Sequence, residues 1–378
     1  MVFADVDSAL TAEQRAIRDV VHEFAVEEIR PGAQEADETE TFPEDVWDGL
    51  AELDLTGLTV PEEYGGFGAD RTTYAIVNEQ VAYGQLAVAT ALSVHCLATS
   101  CIAEFGTEDV KDEWLPDMVS GRPVGAFCLS EPQAGSNPAE MTTRAEKDGD
   151  EYVISGEKQW ITNGQRAGVY IVFAKADEGI TQFLVPADYD GVKVGKKEHK
   201  LGLRASDTTG MTFDGVRVPE EYRLTEEGKG LSSAFKILTG GRVGIASQAV
   251  GLAQAAFDDA KAYAADREQF DQPISDFQTI RHKFADMATQ LQASRLLVRE
   301  AARQEDNGQD PRIAAAMAKY FASEAAVDIT NEAVQIHGGY GYTTDFDVER
   351  YYRDSKITTI YEGTSEIQKT IIARGLLD

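Results

Sequence analysis

Ile360-Tyr361-Glu362-Gly363-Thr364-Ser365-Glu366-Ile367-Gln368 is the stretch on which the reading of this 378-residue chain turns. Ser365 and Gln368 have the spacing of a capping box, and Ile367, Ile371 and Ile372 recur at i, i+4 and i+5. The pattern predicts a helix with one apolar face beginning near Ser365. Glu362 then falls in the turn that enters the helix. Ile360 and Tyr361 are residue types that bury, and Gly363 lets backbone approach closely, so the carboxylate is expected to project into an apolar cavity. Burial there raises its pKa toward the range of a general base. A second reading is purely electrostatic: a carboxylate at a helix N-terminus favours the positive end of the helix dipole. Spacing alone leaves both open.

Composition narrows the function classes. The 35 basic against 65 acidic residues leave a formal net charge of −30, which disfavours nucleic acid or an anionic membrane surface as partner. Self-repulsion of that size becomes tolerable in molar salt, where the screening length falls to roughly 3 Å, so the surface reads as halophile-like. With 43% hydrophobic residues the chain can bury a large core in two or three packed units. Cys96, Cys101 and Cys128 lack metal-type spacing and read as small buried hydrophobes of an intracellular protein, and the five histidines lack the pairing of a zinc site. Met1-Val2-Phe3-Ala4-Asp5 offers neither a basic leader nor a long apolar run. Neither secretion nor membrane insertion is expected, and the cytoplasm is the expected location.

Three blocks follow from periodicity. Residues 1–121 read as an N-terminal helical domain: Thr11 with Gln14 opens a helix that Pro31-Gly32 should stop, and further helical runs cover Pro43–Leu53, Arg71–Ala82, Ala87–Phe105 and Asp109–Val119. Residues 122–228 carry short β-branched and aromatic runs with Asp148-Gly149 as a hairpin turn, which suits a small antiparallel barrel or sandwich. Residues 229–378 return to long alanine-rich amphipathic runs, Gly230–Arg267, Gln278–Asn307 and Pro311–Gln335, which predict an antiparallel helical bundle. The fold class is mainly α with an inserted β domain.

Two loops of the β block and one glycine-rich element carry further information. In Phe127-Cys128-Leu129-Ser130-Glu131-Pro132-Gln133-Ala134-Gly135-Ser136-Asn137, Pro132 and Gly135 set an exposed turn whose amides and hydroxyls suit the polar edge of a cofactor. In Lys158-Gln159-Trp160-Ile161-Thr162-Asn163-Gly164, Trp160 and Thr162 are two apart on a strand and share a face, so an indole plane and a hydroxyl can meet the same flat ligand. The plainer reading is a core tryptophan beside a turn. His337-Gly338-Gly339-Tyr340-Gly341-Tyr342 follows a helix and lacks the G-x-G-x-x-G order, which disfavours a nicotinamide dinucleotide.

Tyr361 to Gln368 resembles the C-terminal signature of the acyl-CoA dehydrogenases, flavoenzymes that desaturate acyl-CoA thioesters. The two loops resemble that family's flavin motifs, Glu198 to Thr208 its loop before the last barrel strands, and the likeness runs through nearly the whole chain, nearest to the short-chain, butyryl-CoA type. It implies an N-terminal helical domain, a central β-barrel and a C-terminal four-helix bundle. It further implies that Glu362 removes the substrate α-proton, and that Phe127, Leu129, Ser130, Gly135 and Ser136 line FAD, Ser136 also facing the substrate. By the same resemblance Trp160 packs on the isoalloxazine, and Thr162 stands near flavin N5. Arg267, Phe270, Gln335, Gly338 and Gly339 would reach the adenosine diphosphate part of FAD bound mainly by a neighbouring subunit, with Thr364 and Glu366 also at the cofactor. Arg242, Tyr361 and Gly363 would attend the substrate. The resemblance implies a homotetramer, fatty-acid β-oxidation as the setting and an electron-transferring flavoprotein as acceptor.

The chain departs from the family pattern at Asn137, usually Asp, at the Pro138 that follows, and at Thr239, which replaces an acidic residue. Gly241 occupies the place where the isovaleryl-CoA dehydrogenase branch carries its base, which leaves Glu362 as the candidate. An acyl-CoA oxidase, a dehydrogenase of branched or dicarboxylic acyl groups, and a non-catalytic helical scaffold are the competing expectations.

Overall fold

The structure, a computed structural model, describes residues 10–377; the Met1–Asp5 opening lies outside the described residues. Helices come first: α1 (Ala12–Phe24), α2 (Arg30–Glu38), α3 (Glu44–Glu52), α4 (Arg71–Gly84), α5 (Leu86–Phe105) and α6 (Glu108–Val119). Thr11 and Gln14 form the expected capping box on α1, each side chain meeting the other's backbone N–H at 3.1 Å. Pro31-Gly32 does not stop the helix. A single π-helical turn, Ala25–Ile29, precedes it, and the Arg30 N–H bonds back five residues to Ala25. That shift of the ladder lets Pro31 sit in the first turn of α2, where its missing N–H removes no bond. α5 is long and apolar enough to cross a membrane, but 83% of its most apolar window is buried inside the protein, as befits a core helix.

Seven strands follow: β1 (Val124–Cys128), β2 (Arg144–Asp148), β3 (Glu151–Thr162), β4 (Ala167–Ala176), β5 (Gly179–Pro186), β6 (Val192–Lys197) and β7 (Thr208–Pro219). They form one sheet in the order β1-β4-β2-β3-β7-β6, with β5 also on β4. The β2–β3 hairpin turns at Gly149, φ +65°, with Asp148 opposite Glu151. The sheet is mixed rather than antiparallel, because β1 runs parallel to β4. The β2–β3 hairpin lies in the chain between those two strands, a connection long enough to reverse direction twice.

The chain then enters α7 (Gly230–Asp266), a two-residue hairpin of β8 (Glu268–Gln269) and β9 (Gln272–Pro273), α8 (Gln278–Asp306), α9 (Arg312–His337), α10 (Val348–Thr358) and α11 (Ser365–Leu377). The three long helices form the bundle, and α10 and α11 pack on α9. One continuous core joins α4, α5, α7, α8 and α9 through Val77, Leu92, Ala246, Leu291 and Ala322. The three cysteines are buried and unpaired by disulfide.

α7 is packed unusually close to α4. A Cβ on Gly251 would lie 2.0 Å from the Glu79 carbonyl oxygen, and one on Gly244 would lie 2.8 Å from the Tyr74 hydroxyl. Gly251→Ala should therefore overpack the seam and lower stability by roughly 1–3 kcal/mol. Gly32→Ala, exposed on α2 with nothing within 4 Å of an added Cβ, should gain roughly 0.5–1 kcal/mol. Urea unfolding at fixed salt reads both; a wild-type midpoint for Gly251→Ala would show that the two helices are not in backbone contact.

Candidate active site

Glu362 sits between α10 and α11 in a backbone conformation that side chains avoid. Its φ is +53° and that of Gly363 is +90°, and a non-glycine residue held there costs on the order of 1–3 kcal/mol. Several bonds keep the turn in place. The Gly363 carbonyl accepts from Lys319 Nζ at 2.8 Å and from Gln368 Nε2 at 2.9 Å, and the Ser365 N–H donates to the Thr359 carbonyl at 3.0 Å. The expected Ser365–Gln368 capping box is absent, because the Gln368 amide is turned back on these carbonyls and the Ser365 hydroxyl donates to Glu324 at 2.5 Å. Thr364 caps α11 instead, its hydroxyl accepting from the Ile367 N–H at 3.3 Å. Ile360, expected to bury, is carried outward by the turn and is exposed.

The carboxylate points inward. Glu362 as a whole is half-buried, yet its Oε2 is enclosed and has no hydrogen-bond partner among the described residues. A Cβ on Gly241 of α7 would lie 3.5 Å from that oxygen and 3.3 Å from Leu97 of α5. Burial pushes the carboxyl above its ordinary value, and the charges of Arg242 and Lys319 pull it partly back. The surroundings are thus apolar walls with two flanking cations, not the purely apolar cavity expected. Arg242 is buried, its Nε lacks a partner, and burial lowers its pKa against the pull of Glu362. Lys319 was not among the expected site residues. Its signal in the sequence is a lysine in α9 whose helical neighbours Ala315, Ala316, Ala322 and Ser323 are all buried.

α5 brings this turn beside the second flavin-like loop. The Thr90 hydroxyl meets the Tyr361 hydroxyl at 3.4 Å, while the carbonyl of the next residue, Ala91, accepts from Asn163 Nδ2 at 3.0 Å. Tyr361 adjoins Glu362, and Asn163 adjoins Thr162. The candidate base and the candidate cofactor face are therefore held by consecutive residues of one helix.

The two loops are themselves fastened together. Gln159 N–H donates to the Ser130 carbonyl at 3.0 Å, and Lys158 Nζ donates to Leu129 O at 3.2 Å and to Glu131 Oε1 at 2.9 Å. The Lys158 and Glu131 side chains are 0% and 1% exposed. Glu131 also accepts from Gln133 Nε2 and from the backbone N–H and hydroxyl of both Thr142 and Thr143. Burial alone would raise its pKa, but the Thr143 bond, the Lys158 charge and the other donors hold it at about 2.

Above this tie the loops display what a flat, polar-edged cofactor needs. Trp160 is 62% exposed at φ +64°, in a bulge between Lys158 and Ile161 where the β3–β7 register shifts. The bulge breaks simple alternation, so Trp160 and Thr162 do not share a face by strand period; the bulge itself turns the indole out beside the half-buried threonine. Gly135 and Ser136 are exposed, a Cβ on Gly135 would touch nothing within 4 Å, and Leu129 and Ser130 are half-buried. Phe127 packs on Phe173 at 4.9 Å between ring centres, behind the loop. These features fit a flavin ring.

The remaining expected cofactor residues lie elsewhere. Arg267, Gly338 and Gly339 line a cavity of about 460 Å³ with Tyr263 and Tyr340, next to a larger one of about 720 Å³ lined by Asp259, Asp266 and Asp347. Gln335 is exposed nearby, and Phe270, at the β8–β9 turn, is 88% exposed. From Arg242 to Arg267 is 25 residues of helix, about 38 Å. One chain does not bring this cluster to Glu362. Thr364 is occupied with the α11 cap, and Glu366 is exposed on the first turn of α11.

Three family models match the chain in succession: acyl-CoA dehydrogenase N-terminal domain over residues 11–122, middle domain over 126–216 and C-terminal domain over 228–377. A short-chain-specific acyl-CoA dehydrogenase of Clostridium acetobutylicum is 42% identical, covering 97% of this chain and 99% of that protein. Butyryl-CoA dehydrogenase from Megasphaera elsdenii superposes with a TM-score of 0.95 at 41% identity, covering 98% and 99% of the two chains. A glutaryl-CoA dehydrogenase from Mycobacterium smegmatis, solved with FADH2, gives 0.95 at 32% identity over 99% and 96%.

Lys158→Met should strand the Glu131 carboxylate and destabilise the protein by roughly 3–5 kcal/mol, and adding Glu131→Gln should recover part of that loss. Because the folded Glu131 pKa is depressed, its contribution is present above about 4.5 and is lost as pH falls through about 2. Acid unfolding of the double variant should therefore show a flatter slope in that window; a slope equal to wild type would remove the pair from the account of stability.

Proposed function

The chain belongs to the acyl-CoA dehydrogenase family and is an oxidoreductase acting on acyl-CoA; from that premise we propose that it introduces an α,β double bond into a short-chain acyl-CoA, with Glu362 as the base. The observation that carries this reading is the pair of contacts from Thr90 and Ala91, which sets the Glu362 turn beside Thr162. Bound FAD supplies the acceptor for the β-hydride at its N5. Glu362 takes the α-proton on Oε2, the oxygen left without a partner inside the protein. Leu97 and the bare Gly241 wall it, and a Cβ at 241 would lie 3.3 Å from Leu97 and 3.5 Å from that oxygen. Trp160, Thr162, Ser130 and Ser136 hold and orient the cofactor, and the enclosed site keeps water from the reacting carbons. Proton loss needs a polarised thioester carbonyl, and the Glu362 backbone N–H is the group this chain would direct at it.

The butyryl-type assignment is supported by the two short-chain relatives above, whose similarity spans nearly the full length. We further propose that a second copy completes each cofactor site through Arg267, Phe270, Gln335, Gly338 and Gly339, within a homotetramer. The far position of these residues on α7 supports that arrangement. Electrons would leave to an electron-transferring flavoprotein in the cytoplasm, in the course of fatty-acid β-oxidation. The net charge of −30 supports a salt-adapted surface.

Glu362→Gln should retain yellow, bound FAD but lose bleaching on anaerobic titration with butyryl-CoA in concentrated salt; normal bleaching would remove Glu362 from the mechanism. For the wild type, Glu362 must be ionised to act, and its pKa lies above 4.5, so the rate of bleaching should fall on the acid side at a pH higher than 4.5. Dialysis to low salt should release flavin and unfold the protein, and full activity there would refute salt adaptation.

A further inference from the structure

Lys319 is a buried cation beside Glu362 that the reaction as described does not use. Its side chain sits inside α9 with 0% exposure, and its one protein hydrogen bond among the described residues is the 2.8 Å contact to the Gly363 carbonyl. A neutral amide or hydroxyl would satisfy that carbonyl without the desolvation cost of burying an ammonium. None of the acidic groups near it takes a hydrogen bond from its ammonium: Glu324 on the same helix accepts from Ser365 at 2.5 Å, and Glu366 is exposed on α11. Glu362, one residue from the carbonyl that Lys319 holds, is the enclosed carboxylate that lacks a partner.

Resting on the reading of Glu362 as base, we propose that Lys319 is its positioning residue: the ammonium pins the strained Glu362-Gly363 backbone so that Oε2 faces the substrate, and its charge keeps that carboxylate ionised inside the protein. Two observations besides the bond agree. The turn has positive φ at both residues, which needs over-determination from its surroundings. Burial also lowers the lysine pKa to about 8, while the charges of Glu362 and Glu324 oppose that fall, so the pair interact. The other groups facing Glu362 are Arg242 from α7, Tyr74 from α4 and the adjoining Tyr361. Arg242 adds positive charge from α7, and its hydrogen bond among the described residues goes to Thr239 on its own helix rather than to the turn's backbone. The two cations thus divide the work, Lys319 alone setting geometry.

The test reads the Glu362 proton directly. The infrared band of the protonated carboxylic acid, assigned by its loss in Glu362→Gln, is followed against pH in the FAD-bound protein. Lys319→Met should raise its titration midpoint by about 1–3 pH units, the range for an opposite charge nearby. Lys319→Arg should keep it. Lys319→Gln retains a donor for Gly363 but no charge; it should shift the midpoint as Met does while losing less of the rate of bleaching by butyryl-CoA at high pH. Gln carries the test if Met does not fold. A midpoint unmoved in both neutral variants overturns the proposal while leaving Glu362 as base. Bleaching by Glu362→Gln overturns the base and, with it, this role for Lys319.

Discussion

The backbone contact between α4 and α7 is the constraint on which the rest of the structure depends. Glycine at 244 and 251 removes the Cβ atoms that would strike Tyr74 and the Glu79 carbonyl, and the two helices close to a separation that larger residues forbid. With α7 drawn in, the bare Gly241 comes against Leu97 of α5 and against the Glu362 carboxylate. Arg242 is buried by the same approach. Gly244 and Gly251 seat the helix, and Gly241 keeps α7 clear of Leu97 where the Glu362 carboxylate comes against it. The same helix α4 is tied electrostatically to α8, since Glu79 is buried against Arg295 and Arg299, which lower its pKa despite burial.

Two buried carboxylates show how differently one residue type is treated. Glu131 is surrounded by donors and paired with Lys158, so it stays ionised far below neutrality. Its function is to tie two loops rigidly, since any looseness leaves a charge unsatisfied in a medium that cannot solvate it. Glu362 has its Oε2 enclosed without a partner among the described residues, and its pKa is raised. A carboxylate with a spare lone pair and raised proton affinity suits proton transfer, whereas one with every lone pair taken suits scaffolding. The strain at Glu362 φ +53° fits the same division, because strained backbone persists where the surroundings over-determine it.

The far end of α7 carries the two cavities and a cluster of aromatic rings. Aromatic rings gather there, Tyr263 stacking on His337 at 4.2 Å and Phe346 edge-on to Tyr263 at 5.4 Å, beside cavities open to the outside and the exposed Phe270 and Tyr342. About 38 Å of α7 separates this region from Arg242, so whatever it binds is distinct from what Glu362 touches in the same chain. A second copy placing its own cluster against these loops is the arrangement proposed above.

Much of the molecule was legible in residue order. The helical, β, helical succession came from periodicity, because the 3.6 and 2.0 periods of the apolar residues record which face each element buries. Thr11–Gln14 capping and the turn at Gly149 are local interactions that a few adjacent residues determine. The literal string around Glu362 pointed to a base, and in the structure that residue's Oε2 is enclosed and without a partner among the described residues. Other features depended on the third dimension. Pro31 passes inside a helix because a π turn shifts the ladder before it; Gln368 abandons the capping box because carbonyls of a strained turn need its amide; β1 pairs parallel to β4 because a whole hairpin intervenes. The partnership of Lys319 with Gly363 joins residues 44 apart, and that of Glu131 with Lys158 joins residues 27 apart. Residue order specifies which groups are charged and which faces are apolar. Only the packed structure decides which charges lose their water, and desolvation is what converts a carboxylate or an ammonium into a tie or a base.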